Sequence, residues 1–167
     1  MAIEFTDNSA IVKAAIDDAI IAFLYEAGGE LEAQAKRNQD KRSDTGQTMN
    51  AWTHTVDESK GECVVGNPLQ NAIWEEFGTG EHAVKSPHRT GWWLYFEGGS
   101  GYEGETNHYA TREEAEKMAA FIKKKYGKTP KITDGRDPSY TLQNAFMASA
   151  PKAEADLERK LKERFGK

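Results

Sequence analysis

The chain has 167 residues, enough to bury a core and close to the size of one domain with or without an inserted arm. Its formal charge of -5, with 29% charged residues, excludes the basic excess of a dedicated duplex-DNA binder. One cysteine, Cys63, excludes an intramolecular disulfide, and its place in "CVV" reads as a buried small thiol.

The amino terminus "MAIEFTDNSA" has no basic block followed by an apolar one, and no stretch approaches about 20 consecutive apolar residues. A soluble protein made in a cytoplasm, without membrane contact, is expected. From Ser9 the residues Ile11, Ala15, Ala19, Phe23, Ala27 and Leu31 recur at helical spacing, with Asn8 or Ser9 as the cap. Unbroken to about residue 38, such a helix would be on the order of 45 Å long, wider than a small domain. Either Gly28-Gly29 bends it, or one end projects towards a partner.

Asp44-Thr45-Gly46 reads as a turn out of this helix. The alternation in "TMNAWTHTV", followed by "ESKG" and "ECVVGN", predicts a hairpin that Asn67-Pro68 closes. "LQNAIWEEF" predicts a short helix stopped by Gly78, with Ile73, Trp74 and Phe77 available to pack a sheet. "GWWLYF" and "TNHYA" predict two strands around the glycine-rich "EGGSGYEGE".

Thr111-Arg112-Glu113-Glu114 is a capping box, ahead of an apolar face of Ala115, Met118, Ala119 and Ile122 and a closing Gly127. The last helix is expected to start near Asp137-Pro138, with Leu142, Phe146, Leu157, Leu161 and Phe165 on its apolar side. Pro151 predicts a kink or a break in it. These elements make an α+β fold: a long N-terminal helix, an antiparallel sheet of about four strands, and an inserted and a C-terminal helix packed on the sheet. A single domain over 1–167, with an inserted segment at about 81–137, is the expected organisation.

No catalytic constellation stands out. Glu75 and Glu76 are neighbours and diverge by about 100 degrees on a helix, so they cannot address one bond as a carboxylate pair. "GTG" lacks the spacing and the lysine of a phosphate loop. His54, His82, His88 and His108 lack the helical spacing of a preformed metal pair. No serine lies in "GxSxG", and no histidine adjoins Cys63 in the sequence. The expected chain is therefore non-enzymatic, with no cofactor and no metal.

Two surfaces invite a partner. "KKKYGKTPK" places Lys123, Lys124, Lys125, Lys128 and Lys131 together, either to complement the carbonyl end of a helix or to contact phosphates without reading sequence. Trp92, Trp93, Tyr95 and Phe96 alternate along one strand, so burying both faces would take a subunit contact.

The succession "DTGQTMNAW", "VVGN", "NAIWEEFGTG" and "DPSYTLQNAFMASA" resembles the small neck proteins of long-tailed bacteriophages, a head-tail connector or tail-completion family. In that family a long first helix is followed by an "xTGxLxxS" turn, a "YAxxxEFGTG"-like signature, a proline and an alanine-bearing last helix. Thr45 and Gly46 match the turn, and Ala72, Glu76, Phe77, Gly78, Thr79 and Gly80 match the signature. Asn71 stands where the family has tyrosine, and residues 81–137 exceed the usual connection. The resemblance implies a virion assembly protein that joins head and tail, self-associates into a ring and meets other neck and tail proteins. It implies a place at the virion neck or tail end, reached from the host cytoplasm during assembly. A second expectation is a phage or prophage accessory protein that contacts DNA non-specifically through residues 123–131.

Overall fold

A computed structural model describes residues 7–40, 46–85, 88–96 and 107–166. The fold is α+β as expected, with a long N-terminal helix, short antiparallel strands and a long C-terminal helix. The chain divides into two compact units, Met1–Leu69 with Thr141–Lys167, and Gln70–Tyr140. The second unit, Gln70–Tyr140, holds the signature helix together with the residues expected as an inserted segment, 81–137.

In the first unit, α1 spans Ser9–Asp40, 32 residues or about 48 Å. Helical structure continues through Gly28-Gly29, so the glycines do not break it. Gly28 serves packing instead: a Cβ there would lie 2.5 Å from Cys63 Sγ and 2.9 Å from His54 Cδ2. The helix α5, Thr141–Phe165, runs antiparallel to α1, as Asn38 Nδ2 donating to Thr141 O (3.1 Å) and the Lys160–Glu26 and Lys152–Glu30 pairs fix. Near the end of α5, Lys160, Glu163 and Arg164 lie beside Ala19 and Ala22. The ten residues of α1 before Ala19 therefore run on past α5 by about 15 Å.

Small residues line the contact. Thr141, Ala145 and Ser149 of α5 are buried, as are Ala19 and Ala35 of α1, which lets the two backbones approach closely. Phe146 and Phe165, expected on the apolar side, are instead 56% and 39% exposed. The helix α5 begins at Thr141 rather than at Asp137-Pro138. Asp137 is taken up by His82, and Tyr140 sits at φ 50, a left-handed conformation in which no helix propagates. Helical structure runs unbroken through Pro151. Pro151 and Met147 are both exposed, so the Met147 carbonyl that loses its donor is on the solvent side, where water can satisfy it.

A one-turn helix α2, Gln47–Asn50, replaces the first half of the expected strand. Gly46 at φ 74 starts it, and the Asn67 side chain secures it by donating to Thr48 O at 2.7 Å. Trp52 is then buried, and β1 (Thr53–Asp57) pairs with β2 (Glu62–Gly66) in the expected hairpin, with Val56 opposite Cys63. Asp57 Oδ1 accepts from the Ser59 and Lys60 amides and shapes the turn. His54, Val56, Cys63 and Val65 form the less exposed face of the hairpin, and the hairpin packs on α1.

The second unit holds α3 (Gln70–Phe77), β3 (Thr79–Gly80), β4 (Trp93–Tyr95), α4 (Arg112–Tyr126), β5 (Lys131–Thr133) and β6 (Gly135–Arg136). Among the described residues the strands form three separate two-stranded ladders, β1-β2, β3-β6 and β4-β5, in place of one sheet of about four strands. Strands of two or three residues offer too few hydrogen bonds to recruit a third neighbour, which accounts for the division. Among the described residues of 91–109, Trp92 bridges Tyr109, and β4 takes β5 as its partner. The loop "EGGSGYEGE" lies outside the described residues.

Leu94, Ala115 and Ile122 are the buried centre of this unit, with Trp92, Phe96 and Tyr109 packed against them. The capping box of α4 is present in full: Glu114 N donates to Thr111 Oγ1 at 3.3 Å, and Glu114 Oε2 accepts from the Thr111 amide. Gly127 closes the helix at φ 67.

Candidate functional site

The stretch "NAIWEEFGTG" forms α3, its glycine stop and β3. Ala72 and Glu76, four residues apart, face inward and are buried, as are Gly78 and Gly80. Glu75 points elsewhere and forms an ion pair with Arg136. The two adjacent carboxylates thus diverge. The last carbonyls of α3 are satisfied from the far end of the unit: Glu75 O accepts from Ser139 N and Oγ, each at 2.7 Å, and Glu76 O from Tyr140 N.

The glycines are required by contact as well as by dihedral angle. At Gly78, φ 75, a Cβ would lie 2.8 Å from Arg136 O and 2.9 Å from His82 O. At Gly80, φ 61, it would lie 1.9 Å from Asp134 O. Across the ladder Gly80 faces Gly135, whose own Cβ would lie 2.0 Å from Thr79 O. Three backbones meet here at a distance no side chain allows. His82 fastens the same junction, with Nδ1 at 2.7 Å from Asp137 Oδ1 and Nε2 at 3.3 Å from Asp134 Oδ1. Asp137 first, and then Asp134, raises the His82 pKa above its ordinary value.

Beside the junction lies an open groove of about 750 Å³. Ile73, Trp74 and Phe77 form one wall; Ile73 and Trp74, expected to pack a sheet, are instead 57% and 48% exposed. Lys85, His88 and Arg89 bring positive or titratable groups to it, and Trp93 completes it. Lys85 Nζ stands 3.8 Å above the Phe77 ring and Arg89 Cζ 4.7 Å above that of Trp93. The groove therefore presents flat apolar surface rimmed by cations, a combination suited to an apolar segment that carries acidic groups.

The aromatic strand divides by alternation. Trp92 and Phe96 turn towards the core with Leu94, and Trp93 turns to the groove. Tyr95 is half-buried on that opposite face. Gly46 stands at the start of α2, whereas Thr45 lies outside the described residues. Lys123, Lys124 and Lys125 occupy the last turn of α4, and Lys128 and Lys131 follow it, all exposed. Lys125 Nζ lies 5.5 Å from the Phe121 ring centre and 5.1 Å from that of Tyr126, and both rings are exposed.

Two features were not legible along the chain. Asn107, buried, uses its side-chain amide like a piece of strand: Oδ1 accepts from Leu94 N at 2.8 Å and Nδ2 donates to Leu94 O at 2.7 Å. Its carbonyl accepts from Arg89, tying the groove to the core. Cys63 and His54, on the two strands of the hairpin, also meet around Gly28, which is distant from both in sequence. His54 spends its hydrogen bond on Glu32 (2.6 Å), and Lys36 and His54 hold Glu32 below the usual carboxylate range. Burial pushes the Cys63 thiol up, the opposite of nucleophile activation. Among the described residues no three His, Cys, Asp or Glu side chains gather in a way that could hold a metal ion, and no helix is long and apolar enough to cross a membrane. Compared with protein families, with curated proteins and with solved structures, the chain finds no match.

Proposed function

We propose that this chain is a non-enzymatic virion assembly protein of a phage or prophage, a neck or tail-completion component that joins head and tail as a ring of identical subunits. One observation carries the reading. The signature residues Ala72, Glu76, Gly78 and Gly80 are turned inward at a locked junction, while the neighbouring Ile73 and Trp74 are presented to solvent. A motif arranged in this way holds a contact surface in place and brings no reactive groups together. Its place between a long first helix and a long last helix follows the order of the neck proteins it resembles. Deleting the gene in a phage or prophage that carries it should leave filled heads and separate tails in electron micrographs and abolish infectivity. Joined, infectious particles from the deletion would remove the reading.

A second reading rests on the interleaving of Phe121 and Tyr126 with Lys123, Lys124, Lys125 and Lys128 on one exposed end of α4. Rings beside lysines make a surface on which nucleic-acid bases stack while phosphates pair. If it is used, DNA retention should fall steeply with salt and be lost in a variant with those lysines changed to glutamate. Absence of salt-dependent retention in the parent protein would eliminate it.

A further inference from the structure

Two surfaces of the chain are open and complementary. The end of α1 beyond α5 exposes Ile11 (69%), Val12 (44%) and Ile16 (36%). Ile11, Ala15 and Asp18 lie on one side of that helix at spacings of four and three, with Val12 and Ile16 alongside and Asp17 next to them. It is an apolar stripe with an acidic flank, on a helical arm about 15 Å long. The groove of the second unit is the converse: exposed Ile73 and Trp74 with Lys85, His88 and Arg89 at its rim. Among the described residues, Ile11, Val12, Ile73 and Trp74 are all exposed.

We infer that the projecting end of α1 of one copy docks in the aromatic and cationic groove of a second copy. The occupant follows from charge and shape together. An acidic face suits Lys85 and Arg89, and an amphipathic helix of nearly three turns presents its apolar residues to a groove of this kind. The contact is heterologous, since each copy gives an arm and offers a groove, and repetition of one rotation closes a ring. Each subunit then makes the contact twice, which doubles the surface that a single short arm buries. The inference rests on the assembly reading above and names the surfaces through which copies associate.

The test uses the full chain and two variants at exposed positions, Ile11→Asp with Ile16→Asp in the arm, and Trp74→Ala with Lys85→Glu in the groove. Circular dichroism should match the parent for both, which shows that each variant is folded. In light scattering after size exclusion, the parent should form a concentration-dependent oligomer and each variant alone should be monomeric. A mixture of the two variants should give a heterodimer and nothing larger, because one intact arm and one intact groove remain. A strictly monomeric parent, or variants that oligomerise as the parent does, would overturn the inference. So would a mixture that stays monomeric, or a Trp74 fluorescence response to an added single-stranded oligonucleotide that Lys85→Glu abolishes. Unjoined virions on gene deletion, together with unaltered oligomers from the variants, would separate failure of this contact from failure of the assembly reading.

Discussion

Gly78, Gly80 and Gly28 are glycines for different reasons, and substitution separates them. Gly78→Val puts a β-branched residue at φ 75 with its Cβ 2.8 Å from the Arg136 carbonyl, and a loss of at least about 2 kcal/mol in urea unfolding is expected. Gly28 has ordinary helical geometry, but alanine there would meet Cys63 Sγ at 2.5 Å, so the gain in helix propensity is outweighed by a clash in the packed face. Gly29, one residue on, has only His54 Cε1 at 3.9 Å from an added Cβ. Gly29→Ala should therefore stabilise by about 0.5–1 kcal/mol in the same assay, while Gly28→Ala destabilises. At the same scale, His82 links stability to pH. Its pKa is raised in the folded chain by Asp137 and Asp134, so its contribution is full below the unfolded histidine value of about 6.5 and is lost as pH rises through the higher folded value. The stability difference between parent and His82→Gln should shrink as pH rises from about 6.5 through the higher folded value, and NMR titration of Asp137→Asn should find the His82 pKa lowered relative to the parent.

At the scale of elements, a helix end follows the sequence where all its capping groups lie within a few residues, and is displaced where a distant group takes the cap. The α4 cap forms as "TREE" dictates because all its groups lie within four residues. The start of α5 is displaced to Thr141 because Asp137 has a better partner in His82, 55 residues away, than an unfilled helix terminus. Pro151 is tolerated inside α5 on its exposed side, at a conformational cost that alanine would remove. Pro151→Ala should raise stability by about 2 kcal/mol, observed as a higher melting temperature with unchanged helical dichroism. A drop in stability would mean that the proline shapes α5 for its contact with α1.

At the scale of the whole molecule, the chain has two cores, one between α1, α5 and the hairpin, the other around Leu94, Ala115 and Ile122. Damage at the glycine junction should stay within its own unit. In hydrogen exchange followed by mass spectrometry, Gly80→Ala should lose protection over 70–140 while α1, α5 and the peptide around Trp52 keep theirs. Equal loss in both units would show that the two fold as one.

The sequence by itself determined the α+β class, the long first helix, the hairpin over "THTVDESKGECVVG", the short signature helix ended by Gly78, and the capped helix α4. Each is written in periodicity, turn residues or caps within a few positions, where local energetics decide. Spacing alone also settled that Glu75 and Glu76 point apart. Tertiary structure decided the rest: that Gly28 admits Cys63 and His54, that β4 pairs with β5, that Asn107 serves as a strand, and that α1 outruns α5. It also decided that Trp74 faces solvent and Trp92 the core, although both are tryptophans in apolar surroundings along the chain. These outcomes depend on which distant backbone arrives within a few ångströms, and no pattern of neighbouring residues encodes that distance.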